Sequence, residues 1–399
     1  ERSELFFNTT DSTVSGNQPR QTFSRAERPI WRTPVYASVS GEYASILRQT
    51  KTTAKVTDLN MKRIDVTPTV RVAFPKWAFL NANTSLSWRY TRWNQSVDEK
   101  KALVDVPVDR TYYSLQTTIT GPVFNRIWNP NNSYASKIKH TIEPGVTIQR
   151  VTAFDTYDNI YKLDGTDTAV GGSTRVIYGL TNRVYAKSDL GDRQGLARQV
   201  FSLNVRQTYY SDERWSTVDS SYSSSYATSL PSKFSSISFT ASTAPFGTLS
   251  SDVRVEYDPH IDAIRTLSLS ATYGLRDWIS TSGAWSKQRF FKAAEPRTID
   301  RQNQSISNQT DFKFFGGKLA GAMSFSYDVT KELFLQKRMV AYYNSQCCGV
   351  AVEYQVYDFS GYSNPLLRVQ KDSRFNISIT LSGVGTFSNF FGVFGGNKQ

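Results

Sequence analysis

The sequence predicts an all-β protein, an antiparallel transmembrane β-barrel, and three observations lead to this class. Apolar and polar residues alternate with a period of two in many segments, these segments are long, and the connections between them tend to alternate between short and long. Counted in this way, the chain has about 17 strands, most of about 10–14 residues. We expect them to be part of a larger barrel.

The alternation gives each predicted strand one apolar and one hydrophilic surface, because successive side chains of a strand point to opposite faces. It is clearest in the segments 80–90, 201–209, 263–273, 319–327 and 375–382. We expect the apolar set to face lipid and the set of Ser, Thr, Asn and Arg to face a wet lumen. The residues predicted to point outward include Leu267, Leu269, Phe325, Ile377 and Ile379.

Strand length separates a membrane barrel from a soluble sandwich. Strands of soluble proteins have about 5–6 residues, whereas a tilted strand needs about 9–11 residues to cross the apolar core of a bilayer. The predicted strands match the length needed to cross a bilayer. No run of eighteen apolar residues occurs, so the sequence contains no candidate for a transmembrane helix.

The connections supply a second test, since outer-membrane barrels have short periplasmic turns and longer external loops. The predicted short connections are 75–78, 244–247, 274–277, 316–317 and 344–345. The predicted long ones are 48–60, 94–109, 152–173, 211–230, 289–302 and 358–372. Three connections break this pattern. The connections 121–134 and 188–197 are long although they fall on the side of the periplasmic turns, and 258–262 is short although it falls on the side of the external loops.

The formal net charge of +13 suggests an anionic partner such as lipid headgroups or a phosphorylated glycan. The basic residues are scattered singly rather than clustered, which disfavours nucleic acid. His140 and His260 have no second ligand at metal-binding spacing, and no Gly-x-Ser-x-Gly elbow is present. We therefore predict no metal site, no cofactor and no enzymatic activity.

Cys347 and Cys348 are the only two cysteines, and they are neighbours. Adjacent Cα atoms lie about 3.8 Å apart, whereas a relaxed disulfide needs roughly 4.4–6.8 Å, so the two thiols are poorly placed to bond to each other. From the residues alone, a structural role as packing residues is an equally good interpretation.

Three blocks resemble a known family. The block 343–354, Tyr-Asn-Ser-Gln-Cys-Cys-Gly-Val-Ala-Val-Glu-Tyr, resembles the adjacent-cysteine strand near the C-terminus of the LptD family, the lipopolysaccharide-assembly barrels of Gram-negative outer membranes. The block 140–146, His-Thr-Ile-Glu-Pro-Gly-Val, is similar to the Glu-Pro strand of that family, and 374–386 looks like its terminal strand. The cysteine block is the most specific of the three.

The resemblance implies a non-enzymatic translocon that passes lipopolysaccharide through the lumen and a lateral gate into the outer leaflet. It implies that Cys347 and Cys348 each bond to a different, distant cysteine in an N-terminal domain. It also implies an LptE-like lipoprotein that plugs the lumen and periplasmic Lpt bridge proteins that bind the N-terminal domain. By analogy, the gate strand near the C-terminus, 373–383, includes Phe375, Ile377, Ile379 and Leu381.

Two arginines, Arg89 and Arg206, are predicted to face the lumen. They are candidates to bind phosphates on the glycan, since the guanidinium group suits phosphate. An equally weighted alternative is that they only hydrate the lumen.

The sequence departs from the family in its extent. The chain opens with Glu1-Arg2-Ser3-Glu4, without an apolar segment, and nothing reads as the periplasmic jelly-roll domain of the family. We expect residues 1–33 to form lead-in strands and a loop, and 34–399 to form the C-terminal part of the barrel. The alternative functions are a 16–18-stranded diffusion porin or other outer-membrane channel, and an outer-membrane protease or lipase.

Overall fold

The computed structural model describes residues 5–6, 12–51, 56–74, 79–130, 132–190, 193–219, 221–222, 231–275, 278–292, 295, 297–345, 348–361, 371–381 and 385–387.

The described residues form twenty-two strands, one short α-helix and one 3-10 turn. The first eleven strands are β1 (Leu5–Phe6), β2 (Ser12–Pro29), β3 (Val35–Lys51), β4 (Val56–Phe74), β5 (Asn81–Trp93), β6 (Ser96–Val97), β7 (Leu103–Val104), β8 (Val108–Thr120), β9 (Phe124–Trp128), β10 (Lys137–Val151) and β11 (Thr174–Leu190). The others are β12 (Arg193–Tyr210), β13 (Ile237–Phe246), β14 (Leu249–Asp258), β15 (Ala263–Leu275), β16 (Ile279–Phe291), β17 (Ile299–Phe314), β18 (Leu319–Asp328), β19 (Leu333–Asn344), β20 (Cys348–Asp358), β21 (Lys371–Leu381) and β22 (Gly385–Phe387). The helix is α1 (Arg214–Val218), and the 3-10 turn is Phe315–Gly317.

The prediction of an all-β, antiparallel fold is confirmed. Twenty of the strands belong to one hydrogen-bonded sheet, while β6 and β7 form a separate pair. Consecutive long strands pair antiparallel, as β3 does with β4 and β15 does with β16. Seventeen strands in the described part of the chain have ten residues or more, which agrees with the predicted number.

Within the parts of the chain that the structure describes, no helix is long and apolar enough to cross a membrane.

Several strands are longer than predicted, and the connections between them are correspondingly shorter. Strand β4 has 19 residues and β12 has 18. The segment 188–197, predicted as a long connection, lies mostly in β11 and β12, and the predicted loops 48–60 and 289–302 are shorter than expected. The cause is that the hydrogen-bonded ladder continues where the apolar alternation has stopped: Lys51 still pairs with Val56.

The described chain divides into two compact units. The first comprises Glu1–Arg126, Thr141–Thr181 and Val205–Ile237, and the second comprises Ile127–His140, Asn182–Asn204 and Ser238–Gln399. In the first unit, successive registers join β1 to β2, β3, β4, β5 and β8, and β8 then pairs with β10. In the second unit they run without interruption from β14 to β22.

The registers of the second unit place the apolar residues of neighbouring strands side by side. Leu269 pairs with Trp285, which in turn pairs with Ile306. The same face continues across β18 to β21, where Tyr354 pairs with Phe375. All five residues predicted to point outward lie on this face: Leu267, Leu269, Phe325, Ile377 and Ile379. We call it the apolar face, and the opposite one the polar face.

The Glu143-Pro144-Gly145 motif does not interrupt its own strand. Strand β10 runs through it, and the irregularity lies in the neighbour: β8 pairs with β10 from Gly145 onward, and the separate strand β9 also pairs with β10. The Pro144 carbonyl accepts a hydrogen bond of 2.8 Å from the Gly121 amide. Proline has no amide hydrogen to donate, so it is tolerated at the point where the partner strand changes.

The tight turn between β17 and β18 confirms the short connection predicted at 316–317. Gly316 and Gly317 have φ of 65° and 89°, a conformation that only glycine adopts without strain. The turn is short, as predicted for this side of the sheet.

Two glycines on the apolar face provide a test of the register. A Cβ atom on Gly321 would lie 2.8 Å from the Val340 carbonyl oxygen and 2.3 Å from the Phe312 ring, whereas at Gly283 the nearest atom would be 3.9 Å away. We expect Gly321→Ala to lower the free energy of unfolding by about 1–3 kcal/mol, as for other overpacking substitutions. Gly283→Ala should have almost no effect. Urea unfolding in detergent micelles measures both, and equal midpoints would show that the register is wrong.

Candidate functional site

The polar face of the second unit forms a concavity of about 600 Å³ across β15 to β19. Its lining is rich in hydroxyl and amide groups, and includes Ser270, Thr272, Ser282, Gln309, Ser324 and Ser326. Neighbouring hydroxyls bond across strands, as Ser286 and Ser305 do at 2.9 Å. Such a surface provides closely spaced donors and acceptors, which is what a polyhydroxylated glycan requires.

Two arginines on the polar face of this unit are paired with carboxylates. Arg338 on β19 donates to Glu353 on β20 at 2.5 Å. Arg254 bonds to Glu256, two residues further along β14 and on the same face. The polar face is therefore close to electrically neutral over these strands.

In the first unit, the connection between β10 and β11 (152–173) packs against the polar face of β4, β5 and β8. Its anchor is Asp167, which is completely buried. One carboxylate oxygen of Asp167 accepts from Arg63 Nη1 at 3.0 Å and from Trp93 Nε1 at 3.1 Å. The other accepts from the backbone amides of Leu163 and Asp164 at 3.0 and 3.3 Å. One side chain thus holds the connection to two strands.

Arg63 is the cation at the centre of this network, and only 1% of its surface is exposed. Besides Asp167, it donates two hydrogen bonds to Asp164, at 2.9 and 2.7 Å, and one to Glu42 at 2.6 Å. Glu42 in turn accepts from Arg20 at 2.6 Å. A buried charge is tolerated only when it is paired and hydrogen-bonded, and three carboxylates satisfy this condition for Arg63.

A second buried cation, Arg110 on β8, contacts aromatic rings and main-chain oxygens. Its guanidinium carbon lies 4.9 Å from the centre of the Trp93 ring and 5.4 Å from those of Tyr112 and Phe154. It donates to the carbonyl oxygen of Thr166 at 2.5 Å. Arg110 therefore joins strands β5 and β8 to both ends of the β10–β11 connection.

The connection between β12 and β13 (211–236) also contacts the polar face. Tyr210 donates to Asp219 at 2.7 Å, and Thr208 hydrogen-bonds with Tyr222 at 3.0 Å. Trp215 donates to Ser173 at 2.5 Å, so the two long connections of this unit contact each other. Together they cover polar-face residues near the end of the strands.

Both arginines singled out from the sequence lie on the polar face and have protein partners. Arg89 donates to both carboxylate oxygens of Asp65, at 2.7 and 3.0 Å. Arg206 donates to the Ser221 carbonyl oxygen at 3.3 Å, and its guanidinium lies 5.6 Å from the centre of the Tyr222 ring. A role in binding phosphate stays a prediction for both, and Arg89 would first have to separate from Asp65.

The electrostatics of the β10–β11 connection favour the ionised form of Asp164. Burial opposes ionisation, but the hydrogen bonds and charge of Arg63 outweigh it and lower the pKa of Asp164 below its ordinary value. The ion pair therefore contributes to stability at neutral pH. This contribution is lost only as the pH falls through that lowered pKa.

The predicted cysteine site and gate strand are neighbours in the sheet. Cys348 begins β20 and pairs with Leu381 at the end of β21. The Cys348 sulfur lies 3.5 Å from the Ser345 hydroxyl, in the turn between β19 and β20. Cys347 lies outside the described residues.

The gate strand differs slightly from the predicted range 373–383. Strand β21 spans Lys371–Leu381, so it begins two residues earlier, and residues 382–384 lie outside the described part of the chain. Phe375, Ile377 and Ile379 lie on the apolar face, and Phe375 is 57% exposed. A further short strand, β22, follows and pairs with three residues of β21.

The two histidines lie in different surroundings. His140 stacks on Trp128 with ring centres 6.4 Å apart, and the His260 amide donates to Asp258 at 2.9 Å. Among the described residues, no group of three or more His, Cys, Asp or Glu side chains is arranged to hold a metal ion.

Sequence reasoning missed the network around Arg63, Arg110 and Asp167. A signal was present: Asp164-Gly165-Thr166-Asp167 is a turn-forming run, and Arg63 and Arg110 occupy polar positions of alternating strands. Which of these charged residues contact each other depends on how the connection 152–173 folds back over the strands. The alternation of residues within a strand contains no information about that.

The role of Asp167 can be tested by proteolysis. Asp167→Ala removes four hydrogen bonds, and loss of one partner from a buried ion pair costs about 3–5 kcal/mol. We expect trypsin to cleave after Lys162, in the same connection, roughly tenfold faster or more than in the unsubstituted protein. Asp158→Ala, at an exposed position of this connection, is the matched control and should leave the rate unchanged. Equal rates for the two variants would contradict an anchoring role.

Comparison with known protein families gives one clear match. The model of the LptD family, described as LPS transport system D, matches residues 5–314. Of the three resembling blocks, only 140–146 lies inside this range, so the match is independent of the cysteine block. No curated protein matches the chain.

Solved structures with a similar arrangement of strands include three outer-membrane transport proteins. The siderophore receptor PirA from Acinetobacter baumannii is 10% identical with a TM-score of 0.38, over 93% of this chain and 64% of that one. The ferric enterobactin receptor PfeA from Pseudomonas aeruginosa is 9% identical with a TM-score of 0.35, over 93% and 62%. The iron transporter FrpB from Neisseria meningitidis is 9% identical with a TM-score of 0.39, over 94% and 72%. This chain thus spans less than two thirds of the first two.

Similarities at these TM-scores carry no argument about function, and the assignment follows from the family model. That model covers most of the chain, including the strands and connections that form the network around Asp167. The chain therefore belongs to the LptD family and is an all-β protein of the Gram-negative outer membrane.

Proposed function

We propose that the protein containing this chain inserts lipopolysaccharide into the outer leaflet of the outer membrane. The observation that carries the proposal is the match of the LptD family model to residues 5–314. Lipopolysaccharide as substrate, an LptE-like plug lipoprotein, and periplasmic Lpt bridge proteins as partners are all parts of the proposal. No catalytic residue, cofactor or nucleic acid has a role in it.

The polar face would carry the glycan. Its hydroxyl and amide groups in the concavity across β15 to β19 can exchange hydrogen bonds with sugar hydroxyls, and Arg338, which lines the concavity, is already paired with Glu353. Weak, replaceable contacts of this kind allow a large polar molecule to move along the surface without being held at one point.

The acyl chains would leave sideways at β21. This strand pairs with β20 through eleven positions and, among the described residues, with β22 through Ile379, Thr380 and Leu381. Separation of β21 from its neighbour on the β22 side would open a path through the wall, and the apolar face of β21 would present Phe375 and Ile377 to the acyl chains. We therefore keep β21 as the gate strand in this proposal.

A diffusion porin remains the alternative from another class. In a porin the same polar face would conduct ions and would not bind lipopolysaccharide. The two functions differ in one measurable property, the molecule that contacts the concavity in living cells.

Photo-crosslinking in cells that express the full-length protein distinguishes them. A benzophenone amino acid at Ser324 lies on the polar face and lines the concavity, and one at the adjacent Met323 lies on the apolar face. We expect Ser324 to form an adduct in which the crosslink is on a sugar of lipopolysaccharide. Any adduct at Met323 should be on an acyl chain.

Absence of a lipopolysaccharide adduct at Ser324, combined with ion conductance of the purified protein in a planar bilayer, would support the porin and overturn the proposal. The Met323 position controls for expression and for the efficiency of the photoreaction.

The cysteines provide a separate test. We propose that Cys347 and Cys348 form two long-range disulfides with an N-terminal domain, as the resemblance of residues 343–354 to the adjacent-cysteine strand of the family implies. Cys348 lies at a short turn, on the side that the barrel topology assigns to the oxidising periplasm. Each bridge would close a loop of hundreds of residues, which the chain-entropy model associates with several kcal/mol.

Non-reducing electrophoresis of the full-length protein measures these bridges. We expect the unsubstituted protein to migrate faster than a variant with Cys347→Ser and Cys348→Ser, and the difference to vanish after reduction. Identical migration, with both thiols found free by mass spectrometry, would leave the cysteines as packing residues.

A further inference from the structure

The apolar face of β15 to β19 carries three positively charged residues, and all three lie toward one end of their strands. Lys287 pairs with Leu267 and Gln304, Arg289 pairs with Gln302, and Lys337 pairs with Phe325, so each belongs to the apolar face. Among the paired, described positions of these strands, no aspartate or glutamate lies on this face. Since charged groups on a lipid-exposed face are costly, their presence needs a physical reason.

Two of these cations form a compact cluster with two amides. Lys287 and Arg289 are separated by one residue on β16, and Gln304 and Gln302 lie directly opposite them on β17. Directly opposed side chains of an antiparallel pair have Cβ atoms about 4.5–5.5 Å apart. We call these four residues the β16–β17 cluster. It presents two cations and two amide donors within a few ångströms of each other.

Among the described residues, the cations of the cluster have no anionic partner. In the described part of the chain, no carboxylate lies within 4.0 Å of Lys287 or Arg289, in contrast to Arg338, Arg254 and Arg63 on the polar face. The Arg289 Nε atom is buried and has no hydrogen-bond partner among the described residues. That buried atom is out of reach of an external ligand, so the ammonium group of Lys287 and the terminal nitrogens of Arg289 are the donors that remain for an anion from outside the chain.

The cluster lies near the ends of its strands, which is where a barrel strand would meet lipid headgroups. Both cations lie within five residues of the connection 292–298, on the side of the longer connections. Aromatic residues of the apolar face occur at the same level: Trp285 is the next residue of the face below Lys287, and Tyr327 and Phe334 lie 4.7 Å apart with Lys337 over the Phe334 ring. Aromatic belts with adjoining basic residues mark the boundary between acyl chains and headgroups.

We propose that the β16–β17 cluster binds the phosphate of an outer-leaflet lipid headgroup, on the outside of the sheet and apart from the transport path. Lys287 and Arg289 bind the phosphate oxygens, and the amides of Gln302 and Gln304 donate to the remaining oxygens. Trp285 and Ile306, which pair with each other directly below, contact the acyl chains.

The cluster distinguishes a lipid from other anions because its cations and amides adjoin the apolar residues Trp285 and Ile306. A free phosphate would gain from the cations but not from Trp285 and Ile306, and a zwitterionic lipid would bring its own positive group to two cations. A lipid whose headgroup carries a phosphate and no positive group satisfies both the cations and the apolar residues of the site.

Native mass spectrometry of the purified chain in detergent tests the proposal, with dimyristoyl phosphatidic acid, dimyristoyl phosphatidylcholine and inorganic phosphate as probes. The variant Lys287→Gln with Arg289→Gln should retain roughly tenfold less phosphatidic acid, since each basic residue near a membrane surface contributes to binding an anionic headgroup. Two controls test folding and position. The charge-conserving variant Lys287→Arg with Arg289→Lys should retain the lipid. The variant Arg301→Gln should also retain the lipid, because Arg301 lies on β17 outside the cluster and contacts Phe290.

Equal retention of phosphatidic acid by the double Gln variant and the unsubstituted chain would overturn the proposal. So would equal retention of phosphatidylcholine, or binding of inorganic phosphate as strong as that of the lipid, which would make the cluster a general anion site. None of these results depends on transport, so failure of this proposal and failure of the transport function are distinguishable.

Discussion

The constraint on which the rest of the structure depends is that a membrane-crossing strand must satisfy its backbone hydrogen bonds with neighbouring strands. Lipid offers no donors or acceptors to the main chain, so each strand needs a long, regular ladder. The second unit follows this closely: the registers of β14 to β20 shift only at Glu256/Tyr257, Phe290/Phe291 and Ser326/Tyr327. All three shifts lie within two residues of a connection on the long side, where water can replace the missing ladder bonds.

A regular ladder also fixes which side chains meet, because alternation is maintained from strand to strand. Lys and Arg residues at polar positions are brought next to Asp and Glu residues at polar positions of other strands, as Arg89 is to Asp65. Two long connections of the first unit use the same principle, supplying Asp167 and Asp219 to cations and hydroxyls of the strands. The polar face is therefore stabilised by charges that neutralise each other, and its hydroxyls stay available to a glycan.

Most of the fold was predictable from the sequence, because a period of two reports directly on which face a residue occupies. The prediction failed at strand ends, where segments such as 289–302 lose the apolar alternation but keep pairing: Arg289 and Gln302 are partners in the ladder. The connection 152–173 was predicted with the bounds that the structure has, yet the burial of Asp167 was not. Burial of a loop residue depends on tertiary contacts with Arg63 and Trp93, which are 104 and 74 residues away along the chain and leave no periodic trace in the sequence.

The two faces of the sheet treat positive charge differently, and the difference follows from depth and solvent. On the polar face a charge at any height can be hydrated or paired, so its position carries little information. On the apolar face a basic residue costs about 2–4 kcal/mol at the bilayer midplane and about 0–1 kcal/mol near the interface. Lys287, Arg289 and Lys337 all lie toward the longer connections, where that cost is small and anionic headgroups are available. The positions of these three residues fit the negative charge of lipid headgroups. The positions of Arg63 and Arg89 fit the carboxylates of the protein itself.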